Sequence, residues 1–261
     1  MSASSLKIVR RKARRRVAFQ GEFGAHSELV AEKFGAPVPF ASFERVFEAV
    51  LNGEVECGAI PIANAIAGAV KENAELLWRH QRRVKIVAET VAPISHCLLG
   101  LRGSSIRAAR EVHSHWQALA QCQKFFARHP RLKPVETYDT AGSAKRIAET
   151  GDLSQLAIAS ERAAKRYGLR VLKRDIGDAK WNATQFYLIA RADSELTLSR
   201  RIEKTVFICR SLSEIQPFVS KLLRLEPIAT RRRAFETHYL AEVSGAAGAE
   251  NVQSLGAFGR V

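Results

Sequence analysis

The residues of this sequence that could do chemistry fall in five short polar turns. They are Gly24-Ala25-His26-Ser27, Pro61-Ile62-Ala63-Asn64-Ala65, Ser114-His115-Trp116-Gln117, Asp139-Thr140-Ala141 and Asn182-Ala183-Thr184-Gln185-Phe186. Each is expected where a strand ends and a helix begins. In open α/β sheets ligands bind beyond the carboxyl ends of strands, where the free N–H groups of helix N-termini favour anions. Hydroxyls, amides and imidazoles at such points suit one anionic ligand held by converging hydrogen bonds. Taken singly, each residue also has an ordinary reading. Ser27, Ser114 and Thr140 fit helix N-caps, Asn64 and Asn182 fit turns, and His26 and His115 fit surface or capping positions. No phosphate loop, dinucleotide fingerprint or metal triad is present. Gly21-x-x-Gly24 lacks a third glycine and a lysine, and no histidine pair brackets a carboxylate at i, i+4.

The elements that would position these turns alternate between strand and helix, the pattern of βαβ units. Strands are expected at Arg16 to Phe19, Cys57 to Ile62, Val84 to Val91, Ser95 to Leu99, Val135 to Tyr138, Leu156 to Ala159 and Phe186 to Ala190. Helices are expected at Ala25 to Phe34, Phe43 to Asn52, Asn73 to Arg79, Ser114 to Arg128, Thr140 to Glu149 and Glu161 to Tyr167. After a polar linker, 192–203, a strand over Lys204 to Arg210, a helix to about Leu225 and a strand over Thr237 to Val243 make a small α+β tail. The tail is too short to bury much core alone, so it is expected to lean on the main body or on a partner chain.

Composition sets the outer limits. With 46% apolar and 26% charged residues in 261, the chain is globular, and no apolar run approaches the roughly 20 residues that span a bilayer. Four dispersed cysteines without a Cys-x-x-Cys pair argue against a disulfide scaffold or zinc ribbon, and no apolar stretch follows the basic start as in a secretory signal. A reducing, cytoplasmic setting is expected. Of the net charge of +15, seven lie in residues 1–16, which contain no acid. That run reads as a disordered basic extension, with nucleic-acid contact or an organelle transit segment as the functional alternatives. The rest is diffuse, with a second knot at Arg231, Arg232 and Arg233. It would suit an anionic small substrate or RNA equally, so charge alone does not choose, and a nucleic-acid partner is not the one expected.

In order and spacing, the motifs resemble one family. Phe19-Gln20-Gly21 with Gly24 to Ser27, the Pro61 to Gly68 turn, Ile94 to Leu99, Ser114 to Cys122, Ala157 to Ser160, Tyr167-Gly168-Leu169, Asp175-Ile176 and Asn182 to Phe186 are similar to the successive signatures of prephenate and arogenate dehydratases. The resemblance implies a two-lobed α/β dehydratase domain, like periplasmic binding proteins, over residues 17–193. One lobe would take about 17–96 with 178–193 and the other 97–177, with the site in the cleft between. It implies that prephenate, a dicarboxylate, loses water and carbon dioxide to give phenylpyruvate in phenylalanine biosynthesis, without cofactor or metal. Thr184 would then polarise the departing hydroxyl. Ser27, Asn64 and Asn182 would orient substrate; Ser114, His115 and Gln117 would hold a carboxylate at their helix start; Thr140 would cap the opposing helix; and Gln185 and Phe186 would complete the pocket. The family also implies a homodimer.

The sequence departs from the family pattern where polar residues are usual. Ala63 and Ala65 flank Asn64, a usual hydroxyl is Ala69, the arginine after the catalytic threonine is Gln185, and Trp116 replaces a proline. An arginine on a carboxylate contributes about 1.5–3 kcal/mol, which neutral Gln185 would not reproduce. Three readings therefore stay open: a working dehydratase, a relative with altered prephenate chemistry such as non-aromatising decarboxylation, and a non-catalytic homologue. Residues 204–261 resemble a shortened ACT regulatory domain. Glu214-Ile215-Gln216-Pro217 stands where a phenylalanine-binding Gly-Ala-Leu start is usual, and Ala229 to Arg232 is a poor match to Glu-Ser-Arg-Pro. Calorimetric titration with phenylalanine is accordingly expected to give no stoichiometric binding; tight one-to-one binding would contradict this.

Overall fold

The structure, a computed structural model, describes residues 15–198, 201–229, 237–247 and 253–258. Residues 1–14 of the expected basic extension and the Arg231 to Arg233 knot lie outside them. Arg16, counted with that extension for its charge, opens the first strand as expected.

The first half runs β1 (Arg16–Gln20), α1 (His26–Phe34), β2 (Ala36–Phe40), α2 (Phe43–Leu51), β3 (Cys57–Asn64), β4 (Gly68–Ala69), α3 (Lys71–Arg79) and β5 (Val84–Pro93). The chain then forms β6 (Cys97–Gly100), β7 (Glu111–His115), α4 (Trp116–Ala120), α5 (Gln123–Arg128), β8 (Lys133–Thr137), α6 (Thr140–Thr150), β9 (Gln155–Ala159), α7 (Glu161–Tyr167) and β10 (Arg170–Lys173). It returns through β11 (Ala183–Arg191). One sheet has the order β2-β1-β3-β11-β5, with β4 on β3, and the second has the order β10-β6-β9-β7-β8. Strands β2, β1 and β3 run parallel, whereas β11 is antiparallel to both β3 and β5. Each sheet belongs to one lobe of a two-lobed α/β body. The chain crosses between them at residues 94–96 and 174–182.

The lobes share a core. Val30, Phe186 and Leu188 of the first pack in one cluster with Ile147, Ala159 and Ala163 of the second. Gly24 is held so close that a Cβ there would lie 2.7 Å from the Ala163 backbone, and its φ of 96° also favours glycine. Ser160 Oγ donates to the Gly24 carbonyl (2.6 Å), Arg162 pairs with Glu28 (2.9 Å), and the Glu22 N–H donates to Asp139 Oδ2 (2.9 Å).

Four strands of the two lobes, β2, the two-residue β4, β7 and β10, escaped the sequence pattern. β2 reads Ala-Pro-Val-Pro-Phe, and prolines are tolerated there because β2 is an edge strand. β7 and β10 were hidden in polar stretches. The helix expected over Ser114 to Arg128 is broken: Ser114 and His115 end β7, and α4 and α5 are separated at Gln121-Cys122. The Asn182 to Phe186 turn opens a strand rather than a helix.

The tail contains β12 (Lys204–Cys209), a 3₁₀ helix over Leu212–Lys221, β13 (Leu222–Ala229), β14 (Thr237–Ser244) and β15 (Gln253–Phe258), in the order β13-β14-β12-β15. Pro217 inside the helix removes a backbone donor, and the chain reaches β13 where helix was expected. One face of this sheet packs Val206, Ile208, Leu240 and Leu255 against Ile60, Ile62, Leu77 and Tyr187 of the first lobe. The other face encloses Phe207, Ile215 and Val243. Strand β15 lies so close to β5 that a Cβ on Gly256 would sit 2.3 Å from the Ile86 carbonyl oxygen. Gly256→Ala is expected to cost about 1–3 kcal/mol by forcing this contact apart. Denaturant titration reads the loss, and an unchanged midpoint would contradict the docking.

Candidate active site

The chain crossings line a cleft of about 400 Å³ together with Ile66, Gln121 and Asn182; Asn64 and Thr184 are not among its lining residues and lie behind Asn182. Asn64 ends β3 and Thr184 is the second residue of β11, and the two are direct partners in the ladder. The Asn64 amide nitrogen donates to Thr184 Oγ1 (3.0 Å), to Asn182 Oδ1 (2.8 Å) and to the Ala183 carbonyl (3.2 Å). Its amide oxygen accepts from the Ile66 and Ala67 N–H groups, at 3.0 and 2.9 Å, in an Asx turn that fixes the side chain. Because Thr184 accepts from Asn64 through its oxygen, its O–H is directed elsewhere, and it donates to no acceptor among the described residues. Thr184 as a residue is 8% exposed, so a ligand oxygen meeting it would be largely shielded from water.

From the second lobe, Gln121 enters this group. Its Oε1 accepts from Asn182 Nδ2 (2.8 Å) and contacts His96 Nε2 (2.8 Å), and its Nε2 lies 3.4 Å from Asn64 Oδ1. With Oε1 accepting from Asn182, the His96 contact needs the Nε2–H tautomer. The His26 ring faces His96 at 6.4 Å. Burial pulls His26 down to about 4, with the facing His96 adding to the shift, and burial also lowers His96. Both imidazoles are therefore neutral near pH 7 and supply dipoles, not charge.

The charged groups lining the cleft are Asp175, Asp178 and Lys180. Asp175 accepts from Ser95 Oγ (2.7 Å), and Asp178 accepts from the Gln123 and Lys124 N–H groups at the start of α5, at 3.0 Å each. Lys180 forms no ion pair among the described residues.

Of the residues singled out in the sequence, the structure brings Asn64, Asn182 and Thr184 together. Ser27 is the second residue of α1, whose N-cap is Ala25, and its hydroxyl has no partner among the described residues. Ser114 does not start a helix. It is buried in β7 and donates to the Ile158 carbonyl (2.6 Å), which commits it to the sheet. His115 caps α4 by accepting the Gln117 N–H at Nδ1 (3.3 Å), so the Gln117 N–H is already used. Neither His115 nor Gln117 lines the cleft. Thr140 is not the cap of α6: Asp139 is, accepting from the Ala141 N–H (3.0 Å).

The other two, further along β11, lie elsewhere. Phe186 is buried in the shared core, away from the cleft. Gln185 points to the opposite face from Thr184, where it donates to Glu89 (3.1 Å) and accepts from Arg224 of the tail (3.1 Å). Ala63 is its ladder partner. Two of the departures from the family pattern thus form one neighbouring pair behind the site rather than two losses within it. Gln121, His96, His26 and Lys180 were not singled out as site residues. Gln121 had a signal, since it is the penultimate residue of the Ser114 to Cys122 motif.

Residues 17–194 match the model of the prephenate dehydratase family. The chain belongs to that family. It is 41% identical over 182 residues to arogenate dehydratase/prephenate dehydratase 2, chloroplastic, of Arabidopsis thaliana, covering 69% of this chain and 47% of the relative. It is 36% identical over 183 residues to a bifunctional N-acyl-homoserine lactone acylase/prephenate dehydratase of Komagataeibacter europaeus, covering 69% and 64%. The chain spans about half the length of the plant relatives it matches. Among solved structures, GqqA, described as a novel type of quorum quenching acylase, superposes with a TM-score of 0.80 at 29% identity over 95% of this chain and 98% of that one. Prephenate dehydratase of Arthrobacter aurescens, solved in complex with L-Phe, gives 0.81 at 24% over 94% and 90%, which shows the shared fold.

A buried histidine with a lowered pKa binds fewer protons folded than unfolded. Stability contributed by keeping His26 neutral is complete above about 6.5 and is lost as pH falls toward about 4. Denaturation midpoints are expected to drop between pH 7 and pH 5, and His26→Gln is expected to flatten that slope. Equal slopes in the two proteins would contradict the assignment.

Proposed function

We propose that this chain is a working prephenate dehydratase, a carbon–oxygen lyase of aromatic amino acid biosynthesis that converts prephenate to phenylpyruvate, water and carbon dioxide. The observation that carries the reading is the Thr184 hydroxyl, its oxygen held by Asn64 and its proton unclaimed, two residues from the cleft-lining Asn182 in a chain of this family. Breaking the bond to the ring carboxylate sends its electron pair into the ring. The ring hydroxyl departs from the opposite carbon and leaves as water by taking a proton from Thr184 as the C–O bond breaks, the threonine regaining one from solvent. Thr184 donates a hydrogen bond to that oxygen as charge develops on it, while Asn64 keeps the threonine oxygen in place. Asn182 and Gln121 orient the substrate through their side-chain amides, and Lys180 supplies the positive charge for one carboxylate. Ser27 lies at the α1 N-terminus beside His26 and is the remaining hydroxyl we assign to substrate.

Gln185 behind the sheet takes no part in binding, which favours intact chemistry over a degraded pocket. The acylase activity in the name of the Komagataeibacter relative would call for an activated nucleophile, yet Thr184 is paired with an amide and, among the described residues, no imidazole hydrogen-bonds to it. We assign residues 204–261 as a reduced ACT-like module. It also supports a homodimer, because Leu212, Val219 and Leu223 of this module are more than half exposed. The four cysteines are free and buried, which suits a reducing compartment such as the cytoplasm.

Turnover of prephenate by the full chain, followed as phenylpyruvate with chromatography of all products, tests the reading. Thr184→Val is expected to lower kcat by about 10²–10³ with little change in KM. Lys180→Ala is expected to raise KM about tenfold at nearly constant kcat. A non-aromatic product, or no product from the unaltered chain, would overturn the assignment.

A further inference from the structure

Behind the Thr184–Asn64 pair, the β3–β11 ladder is irregular. Gln185 pairs with Ala63 but Phe186 pairs with Pro61, so Ile62 is bulged out of register. A bulge breaks the local ladder and loosens the relation between the two strands. The Ile62 carbonyl accepts from the Val70 N–H (2.9 Å) within the lobe, and the tail adds one side chain that reaches both strands. Arg224 on β13 donates from Nη1 to Gln185 Oε1 (3.1 Å) and from Nη2 to the Ile62 carbonyl (3.3 Å). Gln185 adjoins Thr184 in β11, and Ile62 stands two residues before Asn64 in β3. The guanidinium fork therefore ties together the two strands whose ends carry the site.

Arg224 is itself held. Its side chain is 15% exposed, Nε bonds to Glu226 (3.1 Å), and Nη1 lies 3.5 Å from Glu242. Lys204 bridges Glu242 (2.6 Å) and Glu89 (2.5 Å), the Tyr187 hydroxyl donates to Glu242, and Gln185 Nε2 donates to Glu89. Taking such charges out of water is costly, and apolar contact already docks the module. What the network adds is direction: a planar fork with two donors aimed at two strands, which a lysine ammonium cannot reproduce.

We propose that Arg224 of the C-terminal module is a positioning residue that fixes Thr184 against Asn64 by clamping the Ile62 bulge, making the module a working part of the cleft. The consequence for turnover rests on the dehydratase reading above. The consequence for the Asn64 side chain does not.

The test uses the full chain with Arg224→Lys and Arg224→Met, measuring kcat and KM on prephenate, the thermal midpoint, and the Asn64 side-chain amide resonances by NMR. A displacement of order 1 Å at a reacting group can cost up to about 10²-fold. The expected result for Arg224→Lys is a 10- to 100-fold fall in kcat, KM within about twofold, a thermal midpoint near that of the unaltered chain, and shifted Asn64 amide signals. Added methylguanidinium should restore part of kcat in Arg224→Met. Unchanged Asn64 signals and kcat in both variants would overturn the proposal. So would a kcat that falls only in step with the folded fraction. Shifted Asn64 signals in a chain that never turns over prephenate would leave the clamp standing and remove the dehydratase reading instead.

Discussion

The hydrogen bond from Asn64 to Thr184 is the contact around which the rest of the molecule is arranged. It joins two side chains at the ends of antiparallel strands that lie 120 residues apart in the chain, so it exists only when β11 inserts between β3 and β5. It also decides the chemistry. A threonine hydroxyl is a weak acid and a poor nucleophile without a base, but one whose oxygen is occupied as an acceptor presents its proton outward in a fixed direction. Donating to a departing oxygen is the task for which that arrangement is suited.

Three layers hold this contact. The Asx turn at Asn64 and the Asn182–Gln121–His96 relay fix it from the cleft side, and because Gln121 comes from the second lobe, closure of the lobes and assembly of the site are one event. The shared core, with Gly24 against Ala163 and Ser160 on the Gly24 carbonyl, keeps the lobes in register. Behind the sheet, the tail covers Tyr187 and Gln185 with a charged network that a separate domain would not need. The cleft, the lobe contact and the tail thus act on the same pair of strands.

Much of this was legible in the sequence, and the failures have physical causes. The helices with buried faces, such as α2, and the apolar run of β3 announced themselves through periodicity. Edge strand β2, with two prolines, did not, because its pairing needs only one side of its backbone. Asn64, Asn182 and Thr184 were found by motif, and they converge. Ser114 and Thr140 were misread as caps because hydroxyls next to a helix start are ambiguous: one turned into the sheet, and the aspartate preceding the other took the capping role. Gln185 was misread because adjacent residues on a strand face opposite sides, and a sequence motif does not say which side holds the ligand. Gln121 stood inside a recognised motif but its role shows only in its contacts, and Arg224 acts through tertiary contacts with distant strands, which a sequence pattern does not encode.

The most direct test of the central claim is a double-mutant cycle between Asn64 and Thr184, with kcat on prephenate measured for Asn64→Leu, Thr184→Val and the pair. If the asparagine works by holding the threonine oxygen, the double variant should be about as slow as Thr184→Val alone, because neither residue acts without the other. Effects of the two substitutions that multiply would show that Asn64 and Thr184 act independently, and would contradict the account.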